Sequence, residues 1–152
     1  MDFSKLDAWK KPPPKRLSAW KIRCFIFQCK DIPSADSDGS SDPYITIWNP
    51  DDKEVKTETI EDNNNPIFYQ ALEIYYDFDK LENAPPIVLN LWDEDSNPLD
   101  ADDYLGRCVV YLHHTAVSKD DAIPEPQWHD IKLGFSDSDP PCGQMLVSFT
   151  VV

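Results

Sequence analysis

Short apolar runs, separated by polar turn residues, make up most of the chain. The runs are rich in β-branched and aromatic residues, and proline, asparagine, aspartate and glycine stand between them. This pattern is typical of antiparallel strands joined by turns. It predicts eight strands, at 20–30, 43–49, 54–60, 67–75, 86–92, 106–112, 127–133 and 143–152. The predicted fold class is therefore all-β, an eight-stranded antiparallel sandwich.

Helices and further domains have little support in the pattern. No window repeats its apolar positions at the 3.6-residue period of an amphipathic helix, and one helical turn at 115–121 is the best candidate. A chain of 152 residues fits one domain with a core, because this length buries roughly two thirds of the unfolded surface. Residues 1–19, which include KKPPPKR, are predicted to be a proline-rich linker or extension, and residues 20–152 the domain.

The charge of the chain excludes several classes of function. Its 28 acidic and 14 basic residues give a net charge of −14. Such a surface repels phosphate groups, so nucleic-acid binding is excluded and contact with an anionic surface needs an intermediary cation.

The beginning of the chain lacks the apolar segment of a secretory signal, which favours a cytoplasmic location. No nucleophile motif or glycine-rich phosphate loop is present in the sequence, so we predict that the chain is not an enzyme.

The acidic residues concentrate in two predicted loops, DSDGSSD at 36–42 and DEDSNPLDADD at 93–103. If the first and fifth strands end at the same edge of the sandwich, these loops converge there. Carboxylates held close together repel one another unless a hard cation lies between them. Calcium fits best, because it takes six to eight oxygen ligands in loose geometry. An EF-hand is excluded, since Ser41 and Ile47 stand where a loop beginning at Asp36 needs glycine and glutamate.

Four separated segments, SDPYITI, NNNPIFYQALEI, LWDEDSNPLDADDYLGR and GQMLVSFTVV, closely resemble those of a C2 domain and occur in the same order. The resemblance covers residues 20–152. The strand of GxLxxxL type comes last, which implies the permuted, type II topology. The details are similar to the C2 domains of ferlins, tail-anchored proteins of membrane fusion and repair with several C2 domains. That similarity implies a module of a larger, membrane-anchored protein at the cytoplasmic face of membranes; a free-standing C2 protein is the alternative.

The resemblance also implies a set of metal ligands. Five aspartates match the acidic positions of calcium-binding C2 domains: Asp36, Asp42, Asp93, Asp95 and Asp103. The backbone carbonyl ligands of the family correspond to Ala35 and Glu94. The acidic loop at 93–103 corresponds to the third loop of the family and is called the third loop below, and the loop at 36–42 the first loop. The third loop is two residues longer than is common between its second and last aspartates, so Asp102 and Asp100 are alternatives to Asp103.

A mechanism follows from these ligands and the charge. Two calcium ions would change the formal charge from −14 to −10 and reverse its sign locally, so that the head groups of an anionic phospholipid membrane could complete the calcium shell. Leu99 is the only sizeable apolar residue at the predicted loop tips, which makes it the candidate lipid contact and the binding mainly ionic. We therefore predict a calcium-dependent phospholipid-binding module. A calcium-independent module that binds protein partners is the alternative.

Overall fold

The computed structural model describes residues 19–34, 41–95, 97, 99–115, 117, 118, 122–134 and 136–151. Residues 1–18 of the predicted linker lie outside this part. The strands within it are β1 (Ala19–Lys30), β2 (Pro43–Ile47), β3 (Val55–Lys56), β4 (Ile67–Asp77), β5 (Ile87–Asp93), β6 (Asp103–Val110), β7 (Val117–Ser118), β8 (Gln127–Asp130) and β9 (Gln144–Val151). Short 3-10 turns occupy Leu81–Asn83 and Leu112–His114. All eight predicted strands are therefore found.

The strands form two sheets. In the first, β4, β1, β9 and β7 lie side by side, and β8 also pairs with β9. The second has the order β3-β2-β5-β6. Every pair is antiparallel except the short parallel pair of β7 and β9. The predicted all-β sandwich is confirmed, with one correction: the segment predicted to hold at most a helical turn contributes the two-residue strand β7, and the helical turn lies just before it at Leu112–His114.

The first and last strands lie next to each other. β1 pairs along its length with β4 on one side and with β9 on the other, where Cys24 lies opposite Phe149. The final strand thus takes a central place in the first sheet instead of an edge. This connectivity is the one that the GxLxxxL-type strand predicts when it comes last, so the type II topology is confirmed.

The core lies between the two sheets and follows from period-two alternation. On β5, Ile87, Leu89 and Leu91 are fully buried while the residues between them are half-buried. The facing sheet contributes fully buried side chains such as Ile22, Ile26 and Phe149. Burial of each large apolar side chain contributes about 1.5–3 kcal/mol. The aliphatic rows therefore fix which face of each strand turns inward, and with it the position of the loops.

Gly106 is required where β6 meets the segment after β8. Its φ is +141°, and a Cβ atom there would lie 2.7 Å from Ile131 Cγ2. Next to it, Arg107 and Lys132 exchange two backbone hydrogen bonds of 2.9 Å. A residue with a side chain would be strained in this backbone conformation and would separate the two segments. Gly106 thus fixes the first half of β6, which begins at the acidic third loop.

Candidate metal centre

The candidate site lies at the end of the sandwich where β1 and β5 end and where β2 and β6 begin, which we call the loop end. Asp93 is the last residue of β5 and continues its inward-facing row of apolar side chains. It is only 2% exposed. A buried carboxylate is costly unless it is hydrogen-bonded or paired with a cation. Asp93 therefore marks the point at which the core changes from apolar to acidic.

Asp42 connects the first loop to this carboxylate. Its backbone N–H donates to Asp93 Oδ1 over 2.8 Å, and its carbonyl accepts a hydrogen bond of 2.9 Å from the Glu94 N–H. Pro43, the next residue, begins β2 directly opposite Asp93. The structure thus brings Asp42, the last residue of the first acidic loop, to Asp93 and Glu94 at the start of the other acidic loop.

Asp103 lies opposite Asp93 at the start of β6. Directly opposed residues of an antiparallel pair project from the same face, with Cβ atoms roughly 4.5–5.5 Å apart. Asp103 is exposed, whereas Asp93 is buried. The two carboxylates therefore project together from the loop end, one at the core and one at the solvent.

Asp102 has a different environment from its neighbour. Its Oδ2 accepts a hydrogen bond of 2.5 Å from the Tyr44 hydroxyl, and its Oδ1 accepts one of 2.9 Å from the Asp95 N–H. The Tyr44 hydroxyl, followed by the Asp95 N–H, holds the pKa of Asp102 below its usual range. Burial, and then the hydrogen bond to Asp102, raises the pKa of Tyr44. Both Asp102 oxygens therefore serve to hold the third loop against β2.

The outer part of the third loop is a hydrogen-bonded turn. Asp95 Oδ1 accepts from the Asn97 N–H over 2.9 Å, and Asn97 Nδ2 donates to Asp100 Oδ2 over 3.1 Å. Asp100 is exposed within this turn. Leu99 is 90% exposed, so its side chain is available to a surface that approaches the loop.

Residues 61–66, the last part of the loop between β3 and β4, also contact the site, and sequence reasoning missed them. The Asp62 N–H donates to Asp42 Oδ1 over 2.8 Å, and Asp62 has a φ of +49°. Asn63 N–H donates to the Ser41 carbonyl over 2.9 Å. The run EDNNNP carried a signal, because such residues favour turns with positive φ. Tyr44 was missed as well, although it stands directly beside the Asp42-Pro43 pair.

Two predicted ligands, Asp36 and the Ala35 carbonyl, lie outside the described residues. Within the described ranges, no three histidine, cysteine, aspartate or glutamate side chains converge closely enough to hold a metal ion. The structure therefore brings Asp42, Asp93 and Asp103 to one end and fixes Asp95 in the adjoining loop, but the described side chains alone do not form a complete metal site.

A family model described as C2 domain matches residues 20–131, well over half of the chain. The chain belongs to the C2 domain family. It is 29% identical over 143 residues to human myoferlin, which confirms the similarity to ferlins; this alignment covers 90% of the chain and 7% of myoferlin. The C2 domain described here therefore corresponds to a small part of that relative's length.

Solved C2 structures have the same fold. A C2 domain of plant Extended Synaptotagmin 1 superposes with a TM-score of 0.65 at 16% identity, covering 86% of this chain and 92% of that one. The calcium-bound pair of C2 domains from Extended-Synaptotagmin 2 gives a TM-score of 0.61 at 19% identity, covering 86% and 45%. These identities are low, so the likeness establishes the fold alone. Within the described part of this C2 domain, no helix has the length and apolar character needed to cross a bilayer.

Proposed function

We propose that this C2 domain binds calcium at the loop end and, through calcium, anionic phospholipid. One observation carries the proposal: a nearly fully buried carboxylate, Asp93, accepts the backbone N–H of Asp42 and lies opposite Asp103. Like charges at this range raise each other's energy. A cation at the loop end would remove that repulsion.

The donors at the loop end fit calcium in kind. They are carboxylate and backbone oxygens, which hard cations prefer, and the predicted ligands include no imidazole or thiolate. The residues that would hold the metal are Asp36, Asp42, Asp93, Asp95 and Asp103, with the carbonyls of Ala35 and Glu94. A bound ion would supply positive charge to which a lipid phosphate can bind.

The environments of the three alternative aspartates favour Asp103 as the residue that closes the site. Asp103 is exposed and directly opposite Asp93. Asp102 uses both oxygens on the Tyr44 hydroxyl and the Asp95 N–H, and Asp100 belongs to the outer turn. We assign Asp102 the role of positioning the third loop instead of binding metal directly.

The membrane part of the proposal follows from charge. Calcium would turn a repulsive edge into an attractive one, while the rest of the domain stays acidic, so binding is mainly ionic and sensitive to salt. Leu99 would touch the lipid from the tip of the third loop. The similarity to myoferlin supports a role in a membrane-associated protein, with this domain at the cytoplasmic face.

Calcium titration of thermal stability tests the metal site. A ligand that binds only the folded protein stabilises it by about 2.7 kcal/mol at 100 times its dissociation constant. We expect millimolar calcium to raise the melting temperature and equimolar magnesium to raise it less. Co-sedimentation with phosphatidylserine vesicles should require calcium and should be reversed by chelator. Binding that persists in chelator, together with an unmoved melting temperature, would favour the calcium-independent protein-interaction module.

A further inference from the structure

A bulge in the first sheet places an aromatic side chain on the outer surface. Between the paired positions Ile26–Gln70 and Gln28–Ile67, β1 has one residue, Phe27, and β4 has two. The first of these, Phe68, turns into the core. The second, Tyr69, has a φ of +48° and is 73% exposed. The bulge thus holds a bulky residue in an unfavourable backbone conformation and exposes its ring, a combination that is often functional.

Apolar side chains continue from this bulge across the outer face of the sheet. The ring of Phe27 meets that of Tyr69 edge-on, with centroids 6.0 Å apart. In the next row, Ile67 pairs with Gln28, Gln28 with Leu146, and Leu146 with Trp128. Ile67 is 53% exposed. We call this set the apolar band: Phe27, Ile67, Tyr69, Leu146 and Trp128.

The apolar band adjoins the candidate metal centre. Ile67 directly follows Pro66, whose carbonyl accepts the Cys29 N–H over 2.9 Å. In the same 61–66 segment, the Asn63 N–H donates to the carbonyl of Ser41, the residue before Asp42. The band and the acidic loops therefore lie at the same end of the sandwich and are joined by hydrogen-bonded backbone.

The other end of the same face is charged. There Arg23 forms a 2.7 Å ion pair with Glu73, and Lys21 lies 3.9 Å from the same carboxylate. Tyr75, on the same strand and face as Tyr69, stands opposite Lys21. Exposed apolar side chains that cluster at one end mark an interaction surface, whereas scattered ones do not. In the band, Ile67, Tyr69 and Trp128 are exposed while Phe27 and Leu146 are half-buried. The band is therefore a candidate interaction surface at the loop end.

We propose that the apolar band is a second membrane contact, which enters the head-group region of the bilayer that the acidic loops bind; this inference rests on the proposed calcium-dependent lipid binding. Tyrosine and tryptophan prefer the membrane interface, where their rings are apolar and their polar atoms remain hydrated. Lys30 Nζ lies 4.1 Å from the centroid of the Trp128 ring, so a cation borders the band. Asp130, two residues from Trp128 on the same strand, is also exposed and pairs with Gln144, as Lys30 does on the other side. These two opposite charges balance, so the band can approach anionic lipid more easily than the acidic remainder of the domain.

Matched substitutions on the outer surface test the band. Tyr69→Asn removes the ring while keeping a residue that tolerates positive φ, and Tyr75→Asn is its control, about 20 Å away on the same strand. Ile67→Thr is matched by Val109→Thr, because Val109 is a similarly exposed strand residue of the other sheet. The affinity of each variant for mixed vesicles of phosphatidylserine and phosphatidylcholine is measured in saturating calcium. Each band variant should bind about tenfold more weakly, and each control within about twofold of wild type.

The outcomes separate this inference from the proposed function. If the wild type does not bind vesicles in calcium, both are overturned. If the wild type binds and both band variants bind equally well, the band is not a membrane contact, although calcium-dependent binding stands. The remaining alternative is that a second copy of the domain occupies the band, and sedimentation velocity tests it by measuring self-association. Band variants that lose self-association but keep their vesicle affinity would show that this alternative is correct and that the band is not a membrane contact. Ile67→Thr keeps the test decisive if Tyr69→Asn disturbs the bulge.

Discussion

Two parts of β5 face the same interior but differ in chemistry. Leu89 and Leu91 are fully buried between the sheets. Asp93, next in the same inward row, is nearly as buried but carries a carboxylate that accepts the Asp42 N–H. The apolar part gains stability from packing alone, whereas the acidic end gathers charges that repel one another without a cation. Fold stability and calcium response should therefore be separable along a single strand.

The largest effect is expected in the apolar part. Leu89→Ala should lower the free energy of unfolding by about 2–5 kcal/mol, because it removes transfer energy and leaves a cavity. The additional stability that calcium provides should not change, since Leu89 lies four residues from Asp93. Urea unfolding with and without calcium measures both quantities. If Leu89→Ala lowered the calcium-dependent stabilisation as well as the free energy of unfolding without calcium, fold stability and calcium response would not be separable.

The next effect is expected at the acidic end. Asp42→Asn or Asp93→Asn should remove most of the calcium-dependent stabilisation, which is about 2.7 kcal/mol at a calcium concentration 100 times the dissociation constant. The calcium-free protein should keep its stability or gain some, because repulsion is relieved and an asparagine at position 93 can still accept the Asp42 N–H. Asp77→Asn, at the far end of β4, is the matched control. Reduced stability without calcium, with the calcium response intact, would make these aspartates structural caps.

A smaller effect is expected where the third loop is held to β2. Tyr44→Phe should lower the free energy of unfolding by about 1.5 kcal/mol at neutral pH, since it removes a hydrogen bond to a charged group. The pKa of Asp102 is depressed in the folded state, so this stabilisation is complete above the unfolded pKa of about 3.9. It is lost as the pH falls through the lower folded value. Wild type and variant should therefore differ fully at about pH 6 and converge at strongly acidic pH.

Tyr104→Phe is the matched control for this pH dependence. The Tyr104 hydroxyl is buried and has no hydrogen-bond partner among the described residues. Its removal should cost nothing and should show no difference between neutral and acidic pH. Urea unfolding in chelator measures both variants. A cost of Tyr44→Phe that is the same at all pH values would argue against the link to Asp102.

The smallest effect on the fold is expected at the loop tip. Leu99 is 90% exposed, so Leu99→Ala should leave the free energy of unfolding unchanged. Its effect on vesicle binding should not exceed the burial of one leucine, about 2 kcal/mol, and should be smaller than that of raising salt from 0.1 M to roughly 0.5 M. Vesicle affinity in calcium at the two salt concentrations measures this. A larger effect of Leu99→Ala than of salt would mean that insertion, and not charge, dominates.

The strands were predictable because the alternation of apolar side chains is local information. The run IVLNLWD reads directly as β5, with Ile87, Leu89 and Leu91 inward. The approach of Asp42 to Asp93 could also be expected, because antiparallel pairing places the end of β5 beside the start of β2. Strand register needed the structure: neither the pairing of Asp93 with Asp103 nor the hydrogen bond of Asp102 to Tyr44 can be read from the sequence.

Features that depend on contacts distant in sequence could not be predicted. The bond between Tyr44 and Asp102 joins residues 58 positions apart. The bulge at Tyr69 is also hidden, because IFYQALEI reads as an ordinary alternating strand. Strand β7 is only two residues long and exists through its pairing with β9, so its own sequence carries almost no signal. The metal-binding roles of all the predicted ligands stay predictions, and Asp36 and Ala35 also lie outside the described residues.

The adjacency of β1 and β9 has a consequence for folding kinetics. Cys24 lies opposite Phe149, 125 positions along the chain, so the centre of the first sheet closes only after a very long loop has been ordered. Domains dominated by such distant pairings fold in milliseconds to seconds, orders of magnitude more slowly than helical bundles. Until β9 docks, one side of β1 presents unpaired backbone groups to other chains. We therefore expect refolding to be slow and its yield to fall as protein concentration rises, even for variants whose native stability is unchanged.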